Sequence, residues 1–351
     1  MTLDPFRLEG NRVLLLDQTR LPEEERWIDV RDAVGMAEAI AALRVRGAPA
    51  IGIAAALVLA VESGHGEGSA AERLGRVDLA GSLLRAARPT AVNLSWAIGR
   101  MIAAGAREAA ASSDGDAWAR ALRAEALAIW EEDRAASRAM AAHGAALFPE
   151  GRRFLTHCHT GGLATGGGGT ALAVLLELNR RREGGIEVWA TETRPLLQGA
   201  RLTAWELGRA GVRTRLIADG AAASLMVRER IEGVLVGADR VARNGDVANK
   251  IGTYALALAA REAGIPFVVV APTSTLDPSL PDGAAIPIEE RDPSELRAVR
   301  GVPTAPPGVR AQNPAFDVTP ARLVTYLVTE RGVQRPGSGA APVLGVAPGG
   351  G

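Results

Sequence analysis

The sequence predicts an α/β protein in two parts, a mostly helical N-terminal part over residues 1–148 and an α/β part over residues 149–330 built on a mostly parallel sheet. Three observations carry that prediction. Up to about residue 147 the apolar residues recur at helical spacing or in alanine-rich runs. From residue 153 onward, short β-rich runs at 154–158, 187–191, 214–218, 234–238 and 267–271 alternate with longer helical ones. The regimes change at Phe148-Pro149-Glu150-Gly151, and alternation of this kind is the pattern of βαβ units around a parallel sheet.

Taken in order, residues 12–16 are β-prone, and Asp17 to Pro22 with Glu23-Glu24-Glu25-Arg26 reads as a turn with a charged edge. Residues 30–43 have helical spacing, and Gly47 with Pro49 marks a stop before a second helix near Ala50. A third helix is expected behind Arg88-Pro89, loops at 64–72 and 112–116, and a long helix over 117–147. In the second part a last helix is expected over 321–330. Residues 331–351, rich in glycine, proline and alanine, are read as a disordered tail.

A chain of 351 residues with 47% hydrophobic content can bury a substantial core. Lysine plus arginine equals aspartate plus glutamate at 40 each, so no overall field draws the protein to nucleic acid or an anionic membrane, and an anionic ligand must be met by local arginines. One cysteine excludes an intrachain disulfide. The opening Met-Thr-Leu-Asp-Pro-Phe-Arg lacks the regions of a signal peptide, and the apolar runs are too short to span a bilayer, so the expected location is the cytoplasm.

The stretch with most chemistry is 154–178. A strand hands over to Cys158, a glycine-rich turn follows, and residues 171–178 compose a buried helix. Glycines allow a ligand to approach the backbone, and a helix start offers N–H groups to a phosphate. A lone cysteine is ordinarily a small buried hydrophobe, but His157, His159 and Thr160 surround this one with polar groups that such a role does not need. Zinc is set aside, because adjacent His-Cys-His residues on a strand point to alternate faces and have no matching pair elsewhere.

Two junctions repeat one arrangement. In Arg46-Gly47-Ala48-Pro49-Ala50-Ile51-Gly52 and in Arg88-Pro89-Thr90-Ala91-Val92-Asn93, an arginine stands ahead of a proline-opened helix, where it can join exposed N–H groups around a phosphate. Farther on, Glu192 and Asp239 fall at strand ends, the positions where ligands gather on parallel sheets. Asp239 reads equally as a general acid raised by burial or as an ionised partner of Arg240 or Lys250. Gln198 faces a ligand if its helix starts near Pro195, and is otherwise a surface amide. Asn249 and Lys250 suit a sugar hydroxyl and a phosphate, or a helix cap.

Together the 46–52 motif, the 156–167 run, Glu192-Thr193-Arg194-Pro195-Leu196-Leu197-Gln198-Gly199 and Gly237-Ala238-Asp239-Arg240 occur in an order that resembles the methylthioribose-1-phosphate isomerase family, over residues 13–330. The resemblance implies a helical domain joined to a Rossmann-like domain, a homodimer, and no metal or nucleotide cofactor. It implies Cys158 and Asp239 as catalytic residues, and Arg46, Gly47, Ala48, Arg88, Gln198, Asn249 and Lys250 as the binding positions for a sugar phosphate. The residue after the cysteine is commonly asparagine in that family and is His159 here. Competing readings are isomerases of ribose 1,5-bisphosphate or 5-deoxyribose 1-phosphate, and the non-catalytic regulatory subunits of the eukaryotic translation-initiation exchange factor, which share the fold. A nicotinamide-dependent oxidoreductase is a third, weakened because 161–166 lacks a clear Gly-x-Gly-x-x-Gly spacing.

Overall fold

The computed structural model describes residues 3–63, 68–89 and 91–336. Residues 64–67 of the expected loop, Thr90 of the second arginine motif, and residues 337–351 of the expected tail lie outside the described residues. The chain divides into two compact units, one formed by the residues up to Arg138 with Gly161–Gly169, the other by Ala139–Thr160 with the residues from Thr170 onward. The division falls inside a continuous helix, ahead of the composition shift at 148–151, because a helix can change its packing partners without any change in its own periodicity.

The first unit opens with an antiparallel sheet of β1 (Phe6–Glu9), β2 (Arg12–Leu16) and β3 (Trp27–Val30). Helices α1 (Ala33–Ala41), α2 (Ala48–Ser63), α3 (Ala70–Ala87), α4 (Val92–Ala111) and the long α5 (Gly115–Ala146) follow. Asp32 caps α1 by accepting the Gly35 N–H at 2.7 Å, and Ser69 and Glu72 form a capping box on α3. Helix α2 is alanine-rich and buried from Ala50 to Val61, as a helix surrounded by others must be. Gly52 allows α4 to approach it: an added Cβ would stand 2.7 Å from Asn93 O. Val30, expected at a helix start, instead ends β3 opposite Val13.

The second unit carries β4 (Arg153–Thr156), α6 (Ala171–Arg181), β5 (Glu187–Thr191), α7 (Ala204–Arg209), β6 (Arg213–Ile217), α8 (Ala222–Arg228) and β7 (Gly233–Val236). It continues through β8 (Arg240–Ala242), β9 (Val247–Lys250), α9 (Thr253–Glu262), β10 (Phe267–Val270), β11 (Leu276–Asp277), α10 (Ser294–Arg297), β12 (Ala298–Val299), β13 (Val302–Pro303), β14 (Phe316–Thr319), β15 (Tyr326–Thr329) and β16 (Gly332–Gln334). The main sheet has seven strands in the order β16-β15-β10-β7-β4-β5-β6, all parallel except the β15–β16 pair. Its central strands are continuous apolar runs such as Phe267-Val268-Val269-Val270, the composition of a sheet covered on both faces. The five expected strands are there, each within a residue or two of its expected bounds.

Two expectations fail. The stretch 321–330 is a 3₁₀ turn at Ala321–Leu323 and then β15, not a helix, since Val324, Thr325, Val328 and Thr329 are β-branched and fit a pleated sheet better. Gly332–Gln334, assigned to the disordered tail, pairs antiparallel with β15. A second, four-stranded sheet, β11-β8-β9-β14, was not anticipated, and it carries Asn249 and Lys250 within β9 rather than at a helix start. Among the described residues no helix is long and apolar enough to cross a membrane.

Candidate active site

In the second unit the topology gathers the predicted residues along one edge of the main sheet. Strands β4 and β7 are parallel neighbours with Thr156 opposite Leu235, so Cys158 and Asp239 both lie just beyond the carboxyl ends of adjacent strands. The two exits run close together: a Cβ on Gly237 would stand 2.9 Å from Thr160 Cγ2. Asp239, half-buried, donates its N–H to Ala248 O at 3.0 Å, which ties it to the strand bearing Asn249 and Lys250. Arg240 forms an ion pair with Asp277 at 3.4 Å. Gln198 comes from the exit of β5, the neighbour of β4 on the other side.

Cys158 is buried and has φ 61°, in the left-handed region that residues with a side chain rarely occupy. Its N–H donates to Thr193 Oγ1 at 2.9 Å, and its carbonyl accepts from Thr203 Oγ1 at 2.6 Å. Thr193 and Leu197 are left-handed as well, at φ 63° and 57°. Gly199 must be glycine, because a Cβ there would fall 1.8 Å from Thr191 O. Gly199–Thr203 is a π-helical turn running into α7. Strained φ and π-turns concentrate at functional sites, and here they cluster on the exits of two adjacent strands.

His157 explains part of this order. Its Nε2 lies 2.9 Å from Ile251 O, a group that only accepts, so Nε2 carries the proton. Burial holds the imidazolium form down, so the ring is neutral and Nδ1 accepts from Thr191 Oγ1 at 2.7 Å. Thr191 having given its proton away, Thr193 Oγ1 shares its own between Thr191 Oγ1 at 3.2 Å and Thr191 O at 3.3 Å, and accepts from the Cys158 N–H. A one-directional chain of hydrogen bonds therefore runs from the Cys158 peptide to Ile251, next to Lys250.

His159 pairs through Nε2 with Glu206 Oε1 at 2.6 Å, both side chains buried. Thr160 takes two donors around the start of α6, Thr170 N on its carbonyl at 2.8 Å and Leu172 N on its hydroxyl at 3.1 Å. Of the helix-start N–H groups expected for a phosphate, the one on Leu172 is thus already used.

Asn249 Nδ2 donates to Thr253 Oγ1 at 3.0 Å, which supports the start of α9. Lys250 Nζ donates to Ala315 O at 2.9 Å and stands 4.7 Å from the Phe316 ring centroid. Asp317, unnoticed in the sequence, accepts the Gly252 and Tyr254 N–H groups at 2.8 and 3.1 Å, and burial pushes its carboxyl up to about 6. Gln198 is buried, and its Oε1 has no hydrogen-bond partner among the described residues.

The remaining predicted residues belong to the first unit. Gly47 has φ 102°, and its carbonyl accepts Ile51 N at the opening of α2. Arg88 is the C-cap of α3, and its carbonyl accepts Ala91 N just before α4; that helix opens at Val92, later than Pro89 suggested. Since Gly52 in α2 meets Asn93 in α4, the segments of Arg46 and Arg88 sit at one end of the helical unit. The glycine-rich segment belongs here too. One face of α5 holds both sides of Gly166, with Asp133 accepting its N–H at 2.6 Å and Trp130 Nε1 and Arg134 Nε donating to its carbonyl at 2.7 and 3.1 Å.

Residues 44–336 match the model of the initiation factor 2 subunit family. A methylthioribose-1-phosphate isomerase of Anaeromyxobacter dehalogenans is 54% identical over 323 residues, covering 92% of this chain and 91% of that one. Among solved structures, 5-methylthioribose 1-phosphate isomerase from Pyrococcus horikoshii OT3 matches with a TM-score of 0.87 at 41% identity, over 95% of this chain and 92% of the other. The translation initiation factor eIF-2B subunit delta from A. fulgidus matches with a TM-score of 0.84 at 38% identity, over 96% and 97%. The chain thus belongs to the initiation factor 2 subunit family and, within it, to the methylthioribose-1-phosphate isomerases.

Proposed function

We propose that the protein is an aldose–ketose isomerase converting 5-methylthioribose 1-phosphate to 5-methylthioribulose 1-phosphate in methionine salvage. The observation that carries this reading is the 54% identity to a methylthioribose-1-phosphate isomerase over 92% of the chain. The strand-edge arrangement of Cys158 and Asp239 supports it. The order β6-β5-β4-β7-β10-β15 follows the doubly wound pattern and supports a Rossmann-like second domain. The same reading makes the protein a cytoplasmic homodimer whose chemistry uses no metal or nucleotide cofactor.

An aldose phosphorylated at its anomeric oxygen cannot open to a free aldehyde, so the bond from C1 to the ring oxygen must break directly. In this proposal Asp239 protonates that oxygen as the bond cleaves, and hydrogen then moves from C2 to C1 to leave a ketone at C2. Cys158 serves this second step by taking the C2 proton to form an enol and returning it to C1, in preference to a direct hydride shift, while the C2 hydroxyl gives up its proton as the ketone forms and so replaces the one that Asp239 donated. Arg46, Gly47, Ala48, Arg88, Gln198, Asn249 and Lys250 are the proposed binding residues for the sugar phosphate. Gln198 and Asn249 meet sugar hydroxyls, and the unpartnered Gln198 Oε1 suits one.

The likeness to the eIF-2B delta structure favours a second reading, a regulatory subunit that binds without turnover. Product analysis separates the two. Purified protein is expected to yield the ketose from 5-methylthioribose 1-phosphate, faster than from ribose 1,5-bisphosphate or 5-deoxyribose 1-phosphate, with Cys158→Ser and Asp239→Asn each nearly inactive. Full activity in both variants, or binding with no conversion of any of the three, overturns the proposal.

A further inference from the structure

The left-handed backbone of Cys158 requires an explanation that the reacting groups themselves do not supply. A residue with a Cβ rarely occupies φ 61°, and the direction of the Cα–Cβ bond, hence of the thiol, follows from that angle. Two hydroxyls grip the residue from opposite sides, Thr193 Oγ1 on its N–H at 2.9 Å and Thr203 Oγ1 on its carbonyl at 2.6 Å. Both threonines are fully buried.

Thr193 is itself held. Its N–H donates to Asp219 Oδ1 and the next N–H, of Arg194, to Asp219 Oδ2, both at 2.7 Å, so one carboxylate from the exit of β6 fixes two consecutive peptides of the turn after β5. Three neighbouring parallel strands are thereby linked at their ends in the sequence Asp219 to Thr193 to Cys158. Thr203, on the π-helical turn, closes the grip from the other side.

We propose that Thr193 and Thr203, with Asp219 behind Thr193, are positioning residues for the Cys158 thiol, setting the direction in which it leaves the strand end. The proposal rests on the isomerase reading for its catalytic consequence but not for its geometric one. Cys158 is the sole cysteine of the chain, so alkylation reports on that thiol alone.

The test compares the parent with Thr193→Val, Thr193→Ser and Thr203→Val, each first checked for native circular dichroism and melting. It measures steady-state turnover of 5-methylthioribose 1-phosphate and the rate of iodoacetamide alkylation at fixed pH. Thr193→Val and Thr203→Val are expected to lower kcat about ten- to a hundredfold with KM within about twofold, because a misdirected reacting group costs rate rather than binding. Both are expected to change the alkylation rate severalfold, and Thr193→Ser, which keeps the hydroxyl, to restore both readouts. Parent-like kcat and alkylation in folded Val variants overturn the proposal. So does a rise in KM alone with alkylation unchanged, which would make these residues substrate contacts. If the parent turns over no sugar phosphate while the alkylation differences and their rescue by serine persist, the isomerase reading falls and the positioning role stands. Should Thr193→Val fail to fold, Thr203→Val supplies the same two readouts.

Discussion

Gly47 lies against Ala164 so closely that a Cβ on the glycine would sit 2.4 Å from the Ala164 carbonyl oxygen. The contact joins the Arg46-Gly47-Ala48 motif to the glycine-rich segment of the same unit, and it adds to the demand made by φ 102°. Gly47→Ala meets both a forbidden backbone region and a backbone clash. It is expected to cost about 3 kcal/mol of stability or more. Urea unfolding checks this: the midpoint falls with the slope unchanged, and a parent-like midpoint would show that the contact relaxes freely.

Asp133 gives the glycine segment an unusual pH dependence. Burial pushes its carboxyl up to about 6 from 3.8, although the Gly166 N–H and nearby Arg134 favour the ionised form. A folded pKa above the unfolded one means that this group's contribution is complete below about pH 3.8 and is lost as pH rises through about 6. Asp133→Asn retains an acceptor for Gly166 and removes the buried charge. Its stability relative to the parent is expected to improve between pH 4 and pH 7.5 by on the order of 2 kcal/mol. A difference that stays flat across that range would mean the carboxylate is better solvated than its surroundings indicate.

His157 should behave in the opposite sense. Burial depresses its pKa, so its contribution is present above the ordinary histidine value near 6.5 and is lost as pH falls toward the lower folded value. Nitrogen-15 NMR is expected to find a neutral ring protonated on Nε2 at pH 7.5, with Nδ1 in acceptor form. His157→Phe, which leaves Thr191 and Ile251 without their partner, is expected to cost about 2–3 kcal/mol. A ring protonated on Nδ1 would break the ordered chain to Cys158.

These relationships also mark how far the sequence could be read. Phe154-Leu155-Thr156 and Val234-Leu235-Val236 were recognisable as buried strands because apolar runs between turns have few other uses, and the catalytic candidates follow from such strands by position. The strand that carries Asn249 and Lys250 was not legible, since a polar pair within a buried strand has no local signature, and β9 depends on Asp317 and its neighbours pairing from far along the chain. The partners of the cysteine motif were invisible for the same reason. Nothing about Thr203, Asp219 or Glu206 is distinctive, and nothing links Thr193 of the 192–199 motif to the cysteine, until the strand exits are set side by side. His159 did stand out in the sequence, but its role required knowing that Glu206 lies opposite.

Asp317 supplies the last prediction, because it bears on the binding residues without being one. It sits opposite Asn249 in the β9–β14 pairing, and its carboxylate accepts the Gly252 and Tyr254 N–H groups that open α9. The turn between Lys250 and Thr253 contains Gly252 at φ 104°, and a side chain on that glycine would press on the His157 ring, so the turn has little freedom to rearrange around a lost anchor. Asp317→Ala is expected to cost about 1–2 kcal/mol, as for a removed helix cap. If Asn249 and Lys250 bind substrate, loosening their strand should raise KM severalfold, and because Asp239 is tied to the same strand through Ala248 O, kcat should fall as well. Steady-state kinetics at matched folded fraction decides the point: a loss of stability with KM unchanged would place the binding energy outside the β9 segment.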